Sequence, residues 1–530
     1  MKRRIFSVLL SSALLLTALA GCGQGGEAAP SGSSSDADSE TGTRDELIRD
    51  LNPHLYAGEM YAQSILYDTL VSNTEDGYVG CLAEDWTISD DGRIYTFNIR
   101  DGVTFSDGTP CDANAILANF NAILENRERH TWLEMMNLLV GVSAPDEDTF
   151  VIEMSEPYYP MLTELACIRP FAMISPNCMI DGSTMNGVNG YIGTGPYVLT
   201  DFVTDEYAVF ERNENYWGEA PAIQKITVKV IPDNQTRIMA LENEEIDLIF
   251  GKNMLDADAI SQYVDSDRFT VSLSDPTSTR HIVLNTTHDI LGDTAVRKAL
   301  QHATNRQAIS EGIFYGLEPA ADTLYSPTVP YCDVDLEPYA YDTEEAARLL
   351  DEAGWVMGSD GGRSKNGQKL ELDLLYNSDS VTEKTISEYL QCEYLKLGIS
   401  LNIHGEEEQS YRDNMKAGNF DMVFNICWGM PYDPQSSLAA MRAPVYGDYA
   451  AQQGLEDKAE IDQAITDILT STDEAESPEL YEFVLTRLHE DAVYIPLTYE
   501  TNKALYTSEL KGVHFGTDQY DVDFASMYFE

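Results

Sequence analysis

Within seven positions, Asn126-Arg127-Glu128-Arg129-His130-Thr131-Trp132 bring together two arginines, a histidine and a tryptophan. A third arginine, Arg169, stands in an apolar run, Cys167-Ile168-Arg169-Pro170-Phe171. The chain holds 33 basic residues against 89 acidic ones, so an arginine set among hydrophobic neighbours implies a use for it. A guanidinium offers a rigid fork of donors that matches a carboxylate. Two such forks beside an aromatic wall suit a small carboxylate-bearing ligand, and they are wrong for a naked cation because like charges repel. The plain alternative is that Arg127 and Arg129 form a solvated helix face while Arg169 pairs with a core carboxylate. This stretch alone favours that alternative.

Other chemistry leaves no mark. There is no HExxH, no nucleophile elbow and no phosphate loop. Gly193-Thr194-Gly195-Pro196-Tyr197 reads as a turn entering a strand and lacks the spacing of a dinucleotide fingerprint. The 8 histidines show no metal-ligand spacing. Carboxylates are too numerous for an acid–base pair to stand out. Cysteines after Cys22 are scattered without a CxxC and read as small buried hydrophobes, with room for one disulfide. A net charge of −56 excludes a nucleic-acid surface, which must neutralise phosphates.

The elements that must position the arginines are legible from periodicity. Asp112 caps a helix whose Ile116, Leu117, Phe120, Ile123 and Leu124 form one apolar stripe, and this helix delivers the 126–132 stretch. Alternation marks strands with Tyr95, Phe97 and Ile99 on one face, then Phe150, Ile152 and Met154, then Ile226, Val228 and Val230. Past about residue 278 helices and strands alternate: a helix at 295–313, a capping box of Asp342 with Glu345 opening a helix that stops at Gly354, a strand with Leu370, Leu372 and Leu374 inward, a helix at 381–397, and a strand through Phe420, Met422, Phe424 and Ile426. That strand runs into Trp428-Gly429-Met430-Pro431-Tyr432-Asp433-Pro434, and Tyr494 to Thr498 reads as a return strand. At 530 residues the chain needs more than one core.

The N-terminus reads as an export signal: Lys2-Arg3-Arg4, an apolar run from Ile5 to Ala20, then Leu19-Ala20-Gly21-Cys22. The last four resemble the lipobox of bacterial lipoproteins, which implies lipidation of Cys22 and a membrane anchor. Residues 23–43, rich in Gly, Ser and acidic side chains, read as a flexible tether. No later apolar run is long enough to span a bilayer.

Several runs together resemble the family 5 extracellular solute-binding proteins, the receptors of peptide and nickel ABC transporters. They are the stretch from Leu82 to Pro110, Gly193-Thr194-Gly195-Pro196, Asn213 to Gly218, and Val296-Arg297-Lys298-Ala299-Leu300. Leu51 to Tyr56, Asn126 to Trp132, Arg169-Pro170-Phe171, Thr184 to Gly187, Trp428 to Pro434 and Gln452-Gln453-Gly454 are similar to the nickel-binding branch. The resemblance covers nearly all of the chain after the tether. It implies a two-lobed, α/β periplasmic-binding-protein-like fold (class II, large family 5 type) that closes like a hinge on its ligand and hands it to permease subunits, with the receptor a monomer. It divides the chain into a signal peptide at 1–21, a tether at 22–43, a first lobe with an extra subdomain at 44–278, a second lobe at 279–500 and a return to the first at 501–530.

In the nickel branch the ligand is a metal wrapped in small carboxylate chelators such as histidine. Carried over residue by residue, Arg129 and Arg169 would grip chelator carboxylates, Trp132 and Trp428 would wall the ligand, and Tyr432 and Met60 would line the cavity. One departure stands out. The branch supplies a metal-coordinating histidine where this chain has Tyr446, and a neutral phenol is a poor nickel ligand. The expectation is a lipid-anchored, extracytoplasmic receptor for nickel or a related metal as a chelate, with no cofactor and no enzymatic activity. An oligopeptide receptor is the runner-up. A secreted hydrolase would need a convergent nucleophile–base or carboxylate pair, and a purely structural surface protein leaves the arginines beside tryptophans without a role.

Overall fold

The computed structural model describes residues 6–10, 50–55, 60–74, 77–251, 254–427, 434–471, 477–516 and 522–530, with the backbone alone for 6–10. Ten strands build the main sheet: β1 (Phe6–Leu10), β2 (Tyr197–Val203), β3 (Tyr207–Arg212), β4 (Lys225–Val230), β5 (Leu248–Phe250), β6 (Phe269–Leu284), β7 (Glu371–Asn377), β8 (Ser400–Glu406), β9 (Met422–Cys427) and β10 (Tyr494–Thr507). Their spatial order is β2-β3-β4-β1-β5-β10-β6-β9-β7-β8. β1, inside the segment read as a leader, is parallel to both neighbours, with Phe6 opposite Ile226 and Val8 opposite Leu248.

β6 and β10 are the long strands, and they pair antiparallel down the middle of the sheet. Their ladder slips between Leu273 and Pro276, between Pro276 and Ser278, and between Arg280 and His281. Each slip adds local twist and bend. β9 is buried on both faces, Met422 and Phe424 in one core and Val423 and Cys427 in another. That explains why its sequence is apolar nearly throughout.

A separate four-stranded antiparallel sheet, in the order Ala83–Ile88, Ile94–Ile99, Thr149–Met154, Leu139–Ser143, organises residues 83–154. Tyr95, Phe97 and Ile99 are buried, as are Phe150, Ile152 and Met154, so both alternations point inward as read. Helix α2 (Ala113–Glu125) packs beside it, whereas helix α1 (Met60–Leu66) contacts β2 and joins the core under the main sheet. Asp112 accepts from the Ala115 amide at 2.9 Å, the expected cap. Ile116, Phe120 and Ile123 of the stripe are buried, and Leu117 and Leu124 are half-buried at its rim. Fully burying one such side chain contributes about 1.5–3 kcal/mol.

Two expectations change. The segment read as one helix at 295–313 is two, Thr294–Ala303 and Arg306–Gly312. Asn305 starts the second by accepting from the Ala308 amide at 3.0 Å, and a side chain that caps cannot also continue the first helix. The capping box is half-formed. Asp342 accepts from the amides of Glu344 and Glu345, but the Glu345 carboxylate turns to Arg348 and the Asp342 amide goes to the His302 carbonyl. The helix does end before Gly354, whose φ of +86° suits a residue without Cβ. The seven cysteines among the described residues are all free thiols, six buried and Cys392 exposed.

Candidate functional site

Helix α2 stops at Asn126, and the chain tightens into a 3-10 turn, Arg127–His130. Arg127 uses its Nη2 on the main chain, donating to the carbonyls of Leu139 at 2.9 Å and Asn137 at 3.3 Å. Its role is to fasten the turn. Arg129 is exposed, its own amide bonded to the Asn126 carbonyl at 2.9 Å. His130 is fully buried, and burial first, then the neighbouring His54 and the Arg129 charge, brings its pKa down to about 3. It is a neutral core imidazole. Trp132 is half-buried against the core that contains Met135 and Met136 of helix α3 (Glu134–Leu138).

Arg169 is in the opposite condition. Helix α4 (Met161–Leu165) leads into the short helix α5 (Ile168–Phe171), where Arg169 is only 2% exposed and the Arg169–Pro170 peptide is cis. Its Nε donates to Oε1 of Gln63 on α1 at 3.2 Å. Gln63 Nε2 donates to the Asn52 carbonyl at 3.0 Å, and Asn52 Nδ2 to the Thr184 carbonyl at 2.9 Å. The His54 ring lies 3.0 Å from the Thr184 hydroxyl through Nδ1 and 3.2 Å from the Ala172 carbonyl through Nε2. A carbonyl only accepts, so Nε2 carries the proton and Nδ1 accepts from Thr184. Burial holds the His54 pKa down at about 4, against hydrogen bonds to Ala172 and Asn119 that pull it up. This buried chain of hydrogen bonds ties together three stretches singled out in the sequence: 51–56, 169–171 and 184–187. Linked buried networks of this kind fix geometry more firmly than their separate bonds.

The remaining candidates lie apart from this chain. Met60 is buried at the start of α1. Tyr446 is half-buried and precedes the short helix Gly447–Ala451. Behind it Asp448 accepts from Asn425 Nδ2 at 2.7 Å, and burial raises its pKa to about 6. Trp428, Tyr432 and Cys22 fall outside the described residues. No group of three or more His, Cys, Asp or Glu side chains among the described residues could hold a metal ion. No helix of the described residues is long and apolar enough to cross a membrane.

A cavity of about 1590 Å³ opens between the halves of the molecule, with Asp68, Tyr78, Tyr158 and Tyr159 on one side and Tyr331 and Gln435 on the other. Arg129, Arg169, Trp132, Met60 and Tyr446 are not among its lining residues, but the walls are shared. Ser64 and Ile65 line it next to Gln63, and Leu162 and Thr163 line it on α4. In the cavity wall, the Tyr159 amide donates to the Leu469 carbonyl at 3.1 Å and the Tyr159 and Tyr331 hydroxyls lie 3.4 Å apart. Two carboxylates here went unmarked in the sequence. Asp68 accepts from Trp217 Nε1 at 3.0 Å and Thr194 Oγ1 at 2.8 Å, and burial raises its pKa. Glu164 is 7% exposed, and burial raises its pKa to about 8.

Residues 77–448 match the family model described as bacterial extracellular solute-binding proteins, family 5 Middle. The nickel-binding periplasmic protein of Escherichia coli (strain K12) is 42% identical over 479 residues, covering 89% of this chain and 91% of that protein. The dipeptide-binding protein of the same organism is 25% identical over 494 residues, covering 87% and 89%. The crystal structure of NikA from Brucella suis in complex with Fe(III)-EDTA superposes with a TM-score of 0.88 at 43% identity, covering 91% of this chain and 98% of that one.

Proposed function

Because the chain belongs to the bacterial extracellular solute-binding proteins of family 5, we propose that it is the receptor of an ABC importer for nickel, or a related transition metal, carried as a small carboxylate or histidine chelate. The fold is the two-lobed α/β fold of that family. Its relatives are solute-binding transport proteins rather than enzymes, and such proteins work outside the cytoplasm. In this role the metal is cargo, and no cofactor is required.

The observation that carries the chelate reading is the hydrogen-bonded chain around Arg169. It gathers three of the stretches resembling the nickel branch, 51–56, 169–171 and 184–187, around a buried guanidinium, and Arg129 is the exposed guanidinium of a fourth. An anionic complex suits both arginines, and chelator atoms complete the coordination that Tyr446 leaves short. Trp132, Trp428, Tyr432 and Met60 contribute walls. The lobes are 44–278 with 501–530, and 279–500; both crossings fall inside β6 and β10, beside the slips in their ladder. That supports hinge closure about these strands. Delivery to permease subunits and action as a monomer belong to the same proposal. Cys22 carries the lipid anchor, and 22–43 is the tether.

Calorimetric titration of the protein with nickel alone, nickel with excess histidine, free histidine and a short-peptide pool tests this reading. Tight binding of nickel with histidine, and of nothing else in the series, is the expected result. Silence with nickel–histidine beside a strong peptide response would overturn it. The peptide reading keeps one observation in its favour: the 1590 Å³ cavity exceeds the roughly 300–1,000 Å³ of a common small-ligand pocket. It also presents Asp68, which suits a peptide's amino terminus.

A further inference from the structure

We infer that Glu164 is a positioning residue for the proposed chelate site, setting where the Arg129–Trp132 segment stands relative to Arg169. The inference rests on the chelate-receptor reading and deepens it. Glu164 sits on α4, five positions before Arg169 in the chain, and its carbonyl accepts from the Cys167 amide at 3.0 Å, so its backbone belongs to the segment that delivers that arginine. Its side chain points the other way. Oε1 accepts from the Glu134 amide at 3.1 Å and Oε2 from the Met135 amide at 3.0 Å. Those amides open α3 directly after Trp132, and the Leu133 amide in turn bonds to the His130 carbonyl at 3.0 Å. Forty positions of chain separate Arg129 from Arg169, and this one carboxyl joins the two segments.

A third donor reaches the same group. Tyr158 Oη donates to Oε1 at 2.5 Å, and Tyr158 lines the cavity beside Tyr159, whose amide donates to the Leu469 carbonyl. Glu164 is therefore a junction of the Arg169 segment, the Arg129 segment and the Tyr158–Tyr159 segment of the cavity wall. A core plug could be apolar. A side chain that must satisfy two main-chain amides and a phenol needs two acceptor oxygens, and among neutral replacements none has them. An amide offers one oxygen and turns an NH2 toward the remaining donors, leaving at least one buried N–H unpaired.

Glu164→Gln tests the assignment in two ways. Hydrogen exchange needs no ligand. The amides of Glu134 and Met135 and of the 129–132 segment should exchange about tenfold faster in the variant, while β6 and β10 keep their protection. A double-mutant cycle with Arg129→Ala, read by nickel–histidine titration, separates positioning from bulk stability. Glu164→Gln should lower affinity about tenfold in the native background and less than about twofold when Arg129 is already gone. Equal losses in both backgrounds, or unchanged exchange at 129–135, would overturn the inference. Tyr158→Phe keeps the Glu164 carboxyl group and removes one donor. It should shift both readouts in the same direction by a smaller factor, so a Glu164→Gln chain that does not fold still leaves the assignment decidable. A native protein that ignores nickel–histidine defeats the chelate reading, and the exchange experiment still decides whether Glu164 holds the segment.

Discussion

Arg169 and Arg129 carry the same charge in different surroundings, 2% exposed in one case and solvent-facing in the other. Truncating a buried charged partner costs about 2–5 kcal/mol, whereas an exposed pair contributes about 0–1. Arg169→Ala should therefore weaken nickel–histidine binding by about 2–5 kcal/mol and Arg129→Ala by about 1 kcal/mol or less, with only the second loss shrinking further as salt is added. Titrations at low and high ionic strength check both. Tyr446→His should raise nickel–histidine affinity, because an imidazole supplies the donor that a phenol lacks; an unchanged affinity in calorimetry would mean that the chelator alone fills the coordination sphere. Arg169 was legible from its neighbours, since Cys167, Ile168 and Phe171 advertise burial. Glu164 and Asp68 were not. In a chain with 89 acidic residues a carboxylate has no distinguishing local signal, and what sets these two apart is the donors that other segments bring to them.

At the scale of elements, alternation and stripes read well wherever one face is buried. The small sheet and α2 follow their patterns because a half-buried element cannot hide its period. At Thr304–Asn305 the apolar spacing runs on across a break that a side-chain cap imposes. At Asp342 the capping box stays half-formed because the Glu345 side chain has Arg348 within reach. The length of β10 also went unseen past Thr498, since Glu500, Thr501, Asn502 and Lys503 look like surface and are buried. For α2, which delivers the Arg129 turn, the cap matters most: Asp112→Ala should cost about 1 kcal/mol in urea denaturation without changing the slope.

Across the whole molecule the crossing strands carry a buried charge cluster. Arg280 on β6 pairs with Glu500 on β10 and lies 3.8 Å from Glu318, and Glu318 pairs with Lys503 at 3.0 Å and accepts from Thr498 at 3.0 Å. Burial works against the Arg280 charge, but Glu500 and Glu318 hold its pKa above the ordinary value. Glu318→Gln would strand Lys503, and a loss of about 3–5 kcal/mol in denaturation is expected. Stability should also be bounded on both sides by pH. His54 and His281 titrate near 4 and His130 near 3 when folded, against 6.5 unfolded, all chiefly through burial, so the unfolded chain binds more protons and stability falls as pH drops below about 6.5 toward these values. Glu164, near 8 against an ordinary 4.5, and Asp448, near 6 against 3.8, act in the opposite sense. Their contribution is present at low pH and is lost as pH rises through those values. The melting temperature should peak near about pH 6 and fall on either side in scanning calorimetry from pH 4 to about 9.

The place of β1 bears on how the protein comes to exist. Phe6–Leu10 is an interior strand with a parallel neighbour on each side, and such neighbours cannot close the gap between them, since each strand takes up about 4.8 Å of sheet. The proposed cut ahead of Cys22 would then remove a rung of the finished molecule rather than an appendage. Cutting before folding leaves an open seam between β4 and β5, whereas folding before cutting gives the complete sheet.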